Sequence, residues 1–219
     1  MVNLKSLNTV LQKNNAILVA VSKTQSNERI LDIYNSGQRV FGENRVQELA
    51  QKYEELPKDI QWHLIGHLQR NKVKYIASFV KLIHSVDSFQ LLKEINKQAK
   101  KHDRIIECLL QIRIADEATK FGLTPEAVED LLQAPDFKDF NNVRIIGLMG
   151  MATFTYEKTQ VRQEFKRLKS LFDLLKTKYF EEASWFKEIS MGMSGDYEIA
   201  LEEGSTIVRI GSLIFGHRQ

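Results

Sequence analysis

Residues 185–212 read WFKEISMGMSGDYEIALEEGSTIVRIGS and contain one full repeat of the pattern that decides the fold. An apolar run, Trp185–Ile189, is followed by the glycine- and serine-rich stretch 190–196 and then by a short helical stretch. A second apolar run, Thr206–Ile210, leads into Gly211 and Ser212. This order of strand, helix and strand predicts parallel pairing, because parallel neighbours need a long crossover between them.

The same unit recurs along the whole chain. The apolar runs cover 16–21, 39–41, 61–65, 79–85, 105–114, 143–149, 185–189 and 206–210. Eight such units predict a single (β/α)8 TIM barrel, of the α/β class, that spans residues 1–219 as one domain. A doubly wound open sheet is the alternative, since a local pattern does not show whether a sheet closes. The first run lacks a G-x-G-x-x-G turn after it, which favours the barrel.

Two helical segments have clear sequence signals. Apolar residues at spacings of three and four predict one buried helix face, and they are Phe165, Leu168, Phe172, Leu175 and Tyr179. Thr124 followed by Pro125 predicts an N-cap and the first position of another helix.

The composition is that of a globular protein. The chain has 219 residues, of which 43% are hydrophobic and 27% charged, and this balance argues against disorder. No apolar run approaches the ~20 residues that cross a bilayer, and the polar segment Met1–Asn15 lacks a secretory signal. The single cysteine, Cys108, favours a reducing cytoplasm and a place in the core. The formal net charge of +3, with interspersed signs, gives no indication of nucleic acid or membrane partners.

Lys23 is the most informative single residue. The chemistry of a barrel lies where its strands end, and Lys23 follows the first run. It shares strand alternation with Val19 and Val21, so it is predicted to face an apolar interior. Desolvation there would lower its pKa and make the amine nucleophilic toward an aldehyde. The alternative is a lysine that extends from the strand end into water.

The two glycine–serine segments predict an anion site. Ser194 is placed to cap the helix that follows, where free N–H groups attract an anion, although an ordinary N-cap is the alternative. Arg209 interrupts a β-branched run and needs buried acceptors. Because the loops after strands seven and eight form a phosphate site in many barrels, we predict phosphate binding here. His63 and His67 lie on a strand and a turn where their rings diverge, so we predict no metal site.

Several motifs together resemble the pyridoxal phosphate homeostasis proteins, also called proline synthase co-transcribed homologues. The motifs are Ala20-Val21-Ser22-Lys23-Thr24, Phe41-Gly42-Glu43-Asn44, Trp62-His63-x-Ile65-Gly66-His67, Ser85-Val86-Asp87-Ser88, Gly147-Leu148-Met149 and the C-terminal stretch from Ser190 to Gly216. They occur in the family's order over nearly the whole chain.

The resemblance implies a barrel similar to the N-terminal domain of bacterial alanine racemase, with pyridoxal 5′-phosphate (PLP) as its cofactor. It implies an internal aldimine on Lys23, a ring pocket lined by Asn44 and a pyridine nitrogen faced by Arg209. It assigns the phosphate to Ser194, Gly195, Gly211 and Ser212.

The family binds and manages PLP without an established catalytic reaction, and PLP-dependent apo-enzymes are candidate recipients. We expect a monomer.

A cationic Arg209 at the ring nitrogen would keep that nitrogen unprotonated and weaken the electron sink. Racemases share such an arginine and still catalyse, but they add a second domain with a tyrosine base. The match here ends at Gly216, so we expect no such domain. The alternatives are a minimal racemase- or transaminase-like enzyme acting on amino acids, and a barrel that binds another phosphorylated metabolite.

Overall fold

Eight parallel strands form a closed barrel in the computed structural model, which describes residues 4–115 and 121–216. The strands are β1 (Ile17–Val21), β2 (Val40–Glu43), β3 (Gln61–Leu64), β4 (Leu82–Val86), β5 (Ile106–Ile112), β6 (Val143–Gly150), β7 (Glu188–Ser190) and β8 (Ile207–Ile210). Each pairs with the next, and β1 also pairs with β8, which closes the sheet. The predicted TIM barrel is confirmed, and the open sheet is wrong.

Helices pack around this barrel. They are α1 (Leu4–Lys13), α2 (Asn27–Asn35), α3 (Val46–Glu55), α4 (Phe89–Lys100), α5 (Pro125–Gln133), α6 (Lys158–Tyr179), α7 (Tyr197–Glu202) and α8 (Ser212–Phe215). The 3₁₀ turn Arg70–Tyr75 makes the crossover from β3 to β4. A second 3₁₀ turn, Pro135–Asp139, follows α5. Across the described parts of the chain, no helix has the length and apolar character needed to cross a membrane.

Both helix signals are confirmed. Helix α6 buries the predicted apolar face, with Phe165, Leu168 and Leu175 fully buried. At the start of α5, the hydroxyl of Thr124 accepts a hydrogen bond of 3.2 Å from the N–H of Ala127. That bond satisfies one of the N–H groups that a helix start leaves without a partner.

Strand alternation divides the apolar core in two. The larger part lies between the strands and the helices, and it includes Leu18 and Ala20 of β1. The smaller part fills the barrel interior and consists of Val19, Leu82, Leu109, Ile146, Met149 and Ile207. Because successive strand residues point to opposite faces, Val21 continues the inward face of Val19, and Lys23 follows in the turn.

Two predicted strands begin too early. Phe79 lies before β4, where its ring stacks on Tyr53 of α3 with 3.8 Å between the ring centroids. Trp185 lies before β7, remains 45% exposed and carries the guanidinium of Arg144 over its ring. Each residue is apolar because it packs against a neighbouring side chain, and apolar character alone does not distinguish this role from a strand position.

Candidate functional site

The predicted site residues all lie at the carboxyl rim, the edge of the barrel where the eight strands end. They come from four adjacent strands in the order β7, β8, β1 and β2. Ser194 and Gly195 follow β7, Arg209 lies within β8 before Gly211 and Ser212, Lys23 follows β1, and Asn44 follows β2. The closure between β8 and β1 therefore brings the segments after the first and last strands together at one site.

Gly211 lies close to β1 across this closure. In the register of β1 with β8, Val19 lies opposite Arg209 and Ala20 opposite Ile210. A Cβ atom added at Gly211 would lie only 3.2 Å from the carbonyl oxygen of Val21. The backbone of Gly211 is thus in direct contact with the strand end that leads into Lys23.

The turn that carries Lys23 is fixed on both sides of the lysine. Before it, the Ser22 hydroxyl donates to Oε1 of Glu43 over 2.7 Å, and the Ser22 carbonyl accepts from Nζ of Lys52 over 2.8 Å. After it, the N–H of Thr24 donates to Oε1 of Glu48 over 2.6 Å. Lys23 itself is half-buried.

Lys52 joins these contacts into one buried network between β2 and α3. Its ammonium lies 2.8 Å from Oε1 of Glu43 and 2.6 Å from Oε1 of Glu48. Burial raises the pKa of Glu43, with Lys52 acting against that effect. Burial also acts to raise the pKa of Glu48, but the bonds from Lys52 and Thr24 outweigh it and hold the value low. Oε2 of Glu43 is buried with no hydrogen-bond partner among the described residues.

Sequence reasoning missed this network. One signal was available, because Lys52 shares the buried face of α3 with Val46 and Leu49. A lysine on such a face requires a partner. The identity of that partner follows only from the packing of α3 on β2.

Asn44 is half-buried at the end of β2. The backbone of Gly66, in the turn after β3, packs directly on it, since a Cβ atom at Gly66 would lie 2.4 Å from the Asn44 carbonyl oxygen. This contact fixes the Asn44 backbone at the rim. Its role toward a cofactor ring stays a prediction.

The loops after β7 and β8 are joined by one hydrogen bond. The N–H of Gly211 donates to Oγ of Ser194 over 3.3 Å. The expectation that Ser194 caps the following helix is wrong, because α7 begins at Tyr197 and Asp196 occupies its N-cap position. Asp196 instead folds back within the loop and accepts from the N–H of Met193 over 2.6 Å.

These two loops also carry unpaired backbone donors. The N–H groups of Ser194, Gly195, Ser212 and Leu213 have no acceptor among the described residues. Gly195 and Ser212 are exposed, and a Cβ atom at Gly195 would meet nothing within 4 Å. Several N–H groups around open space make an arrangement suited to an anion.

Arg209 supplies a buried cation beneath these loops. It is 4% exposed and faces the barrel interior opposite Val19. Its guanidinium donates to Oγ of Ser190 over 2.6 Å and to the carbonyl of Gly150 over 3.1 Å, so the predicted buried acceptors are present. Burial lowers its pKa to about 10, with Asp196 acting against that shift, and the group remains cationic at neutral pH.

Two buried histidines continue from Ser190, and sequence reasoning missed both His84 and its contact with His63. Nδ1 of His84 lies 2.9 Å from the Ser190 hydroxyl, and Nε2 of His84 lies 3.0 Å from Nδ1 of His63. Burial lowers the pKa of His63 to about 3 and that of His84 well below its usual value. Both rings are therefore neutral at neutral pH.

On the far side of the rim, His67 after β3 lies 3.3 Å from a carboxylate oxygen of Asp87 after β4. The ring of Phe121 stacks on His67 with 4.5 Å between centroids. The rings of His63 and His67 thus have separate partners.

In residues 4–115 and 121–216, no group of three or more His, Cys, Asp or Glu side chains could hold a metal ion. Cys108 is buried in the core, as predicted.

This closed parallel barrel belongs to the class represented by the N-terminal domain of alanine racemase. The family model for that domain matches residues 2–219. An alanine racemase of Clostridium difficile 630 has the same fold, with a TM-score of 0.76 at 14% identity. The match covers 99% of this chain and 60% of the racemase.

Closer relatives define the family. The pyridoxal phosphate homeostasis protein of Aquifex aeolicus is 43% identical over 208 residues, which cover 94% of this chain and 89% of the relative. The human protein of that name is 38% identical over 92% of this chain and 76% of its own. PipY of Synechococcus elongatus, solved with PLP bound, superposes with a TM-score of 0.83 at 32% identity, covering 97% and 99% of the two chains. The chain belongs to the pyridoxal phosphate homeostasis protein family.

Proposed function

We propose that this protein binds PLP at the carboxyl rim and holds it as a reserve rather than using it in a dedicated reaction. The observation that carries the proposal is the convergence of Lys23, the unpaired N–H groups of the two glycine–serine loops, and buried Arg209 on adjacent strands. The names of the curated relatives and the PLP-bound PipY structure support it.

The donor set fits the chemistry of the cofactor. A phosphate dianion needs several donors, and the loops offer unpaired backbone N–H groups beside the Ser194 and Ser212 hydroxyls. Gly195 and Gly211 let the backbone approach the phosphate without a side chain between them. When bound, PLP supplies an aldehyde that reacts with a primary amine, and Lys23 is the amine we assign to it. Arg209 would face the ring nitrogen, and Asn44 would line the ring pocket.

The cationic state of Arg209 favours a holding role. A carboxylate at the ring nitrogen would favour its protonation and make the ring an electron sink, whereas a guanidinium does the opposite. The Glu43–Lys52–Glu48 network also supports a holding role, because it fixes the turn on either side of Lys23. We also propose that residues 1–219 act as one PLP-binding domain, as a monomer in the cytoplasm, with PLP-dependent apo-enzymes as recipients.

The assignment of Lys23 is tested by loading the protein with PLP, reducing it with borohydride and mapping the pyridoxyl adduct by peptide mass spectrometry. We expect the adduct on the peptide that contains Lys23, and we expect Lys23→Ala to abolish both the adduct and the yellow absorbance of bound PLP. The matched control is Lys93→Ala, which removes an exposed lysine of α4. An adduct on another lysine in the wild-type protein would contradict the assignment.

The phosphate and holding roles have separate tests. Pyridoxal, which lacks the phosphate, should bind at least about tenfold more weakly than PLP, because the charged acceptor is lost. Equal affinities would show that the loops do not bind the phosphate. Incubation of the loaded protein with common amino acids in deuterium oxide should leave the α-hydrogen in place, and rapid exchange would favour the enzyme alternative.

A further inference from the structure

A row of four hydrogen-bonded side chains crosses the barrel interior. It runs from His63 on β3 through His84 on β4 and Ser190 on β7 to Arg209 on β8. None of the four is more than 4% exposed. Strands β4 and β7 are not neighbours in the sheet, so the contact of His84 with Ser190 spans the interior of the barrel.

The direction of these hydrogen bonds is fixed by Arg209. A guanidinium only donates, so Oγ of Ser190 accepts from it over 2.6 Å. The proton of Ser190 then has Nδ1 of His84 as its acceptor at 2.9 Å. A neutral imidazole carries one proton, so His84 holds it on Nε2 and donates to Nδ1 of His63.

The opposite direction leaves a buried donor without an acceptor. If His84 donated from Nδ1, the Ser190 oxygen would accept twice and its own proton would have no acceptor among the described residues. A buried donor of this kind is costly. Only the first direction gives each fully buried donor in the row an acceptor, and the one donor that it leaves without an acceptor among the described residues is Nε2–H of His63, at the end of the row. It requires both histidines to be neutral with the proton on Nε2. The low pKa values of both rings agree with their neutral state.

The two ends of the row reach opposite mouths of the barrel. At the rim end, bonds to Ser190 and to the Gly150 carbonyl fix the guanidinium, which keeps further N–H groups for other acceptors. At the other end, Nε2 of His63 has no hydrogen-bond partner among the described residues. His63 lines a cavity of about 380 Å³ at the amino-terminal mouth, beside Lys81 and Trp185.

We infer that Ser190 and His84, supported by His63, are positioning residues that hold the Arg209 guanidinium in the orientation in which it meets the ring nitrogen of PLP. The inference rests on the proposed function, since it concerns the same site. It adds that the ring contact is set by side chains from β3, β4 and β7, on the far side of the barrel interior.

The first experiment uses the protein without PLP, so it is independent of the proposed function. Nitrogen NMR of protein labelled with ¹⁵N-histidine distinguishes protonated from unprotonated ring nitrogens. We expect His63 and His84 to be neutral with the proton on Nε2 at pH 7. In Ser190→Ala, the His84 signals should shift. A cationic ring, or a proton on Nδ1 of His84 in the wild-type protein, would overturn the inference whether or not PLP binds.

The second experiment tests the positioning role with PLP added. Ser190→Ala should shift the absorbance maximum of bound PLP and weaken its binding about tenfold, whereas Ser190→Thr keeps the hydroxyl and should restore both. The control is Ser205→Ala, which removes a buried hydroxyl bonded to the carbonyls of Met191 and Ile207, outside the row. A loss of thermal stability without a spectral shift in Ser190→Ala would overturn the inference. Failure of wild-type protein to bind PLP would instead reject the proposed function.

Discussion

The Lys23 turn and the glycine–serine loops meet at one rim, yet they are held in different ways. The turn is held by a network of charged side chains, because Lys52 and Glu48 bind the backbone on either side of the lysine and Glu43 accepts from Lys52 and from the Ser22 hydroxyl. The loops are held by backbone contacts, by Oγ of Ser194 and by the Asp196 carboxylate, which accepts from the N–H of Met193. The difference follows from what each half of the site must present to the cofactor. The first half, the turn, presents a single amine in a defined position, and the second half, the loops, presents several free backbone donors.

The buried groups beneath the two halves differ in charge as well. Under the turn, the Lys52 ammonium lies 2.8 Å from Oε1 of Glu43. Under the loops, one cation, Arg209, is satisfied by neutral acceptors. Burial disfavours the charged form of each group, so it raises the pKa of the Glu43 acid and lowers the pKa of the histidine bases in the second half. The two halves should therefore respond differently to mutation and to pH.

The largest effect is expected from Lys52→Met. It leaves the Glu43 carboxylate buried without its partner, so the free energy of unfolding should fall by about 3–5 kcal/mol. Urea unfolding at pH 7 measures this loss. Lys93→Met is the control, because its pair with Asp136 is exposed and contributes about 0–1 kcal/mol. Equal losses in the two variants would show that the network does not hold the Lys23 turn.

A smaller effect is expected from pH. The pKa of His63 is lowered to about 3 and that of His84 also lies below its usual value. Below about pH 6.5 the unfolded chain takes up protons that the folded protein does not. The free energy of unfolding should therefore fall by ~1.6 kcal/mol through His63 between pH 6.5 and pH 5, and His84 should add a loss of the same sign. Thermal or urea unfolding across this range measures the slope.

Glu43 acts in the opposite direction over its own range. Because its pKa is raised, the folded protein takes up a proton before the unfolded chain does, and this contribution increases as the pH falls through the folded pKa. His84→Gln should reduce the histidine slope, and His102→Gln, at an exposed position, is the matched control. An unchanged slope in His84→Gln would mean that the buried ring does not govern the acid response.

The smallest effects on stability are expected from substitution of two glycines in the loop after β7, Gly192 and Gly195. Gly192 has a φ of 93°, and a Cβ atom there would lie 2.5 Å from Cβ of Ala200. Gly192→Ala should therefore cost about 1–3 kcal/mol of stability. At Gly195 the added methyl meets nothing within 4 Å, so Gly195→Ala should change stability by less than about 0.5 kcal/mol. Urea unfolding compares them, and equal costs would contradict this description of the loop.

Local sequence predicted the features that depend on short-range pattern. The repeat of apolar runs and helical segments predicted the strands. Thr124 and the apolar face of α6 predicted two of the helices. Lys23 and the two loops were found because they follow strands, and parallel strands end at one edge. The error at Ser194 has a local cause as well, since a serine before a helix resembles a cap, and only the position of β8 showed that its hydroxyl binds Gly211.

The amino-acid sequence by itself determined the order of the strands, the residues at their carboxyl ends and the need of Arg209 for buried partners. Only the tertiary structure decided which partners Arg209 has, and only it revealed the buried contacts of Lys52 and His84. His84 and Ser190 are 106 residues apart, and they meet because the sheet closes. Closure brings β8 beside β1 and turns the inward faces of distant strands toward one another. Such contacts depend on the geometry of the whole barrel, which no local pattern contains.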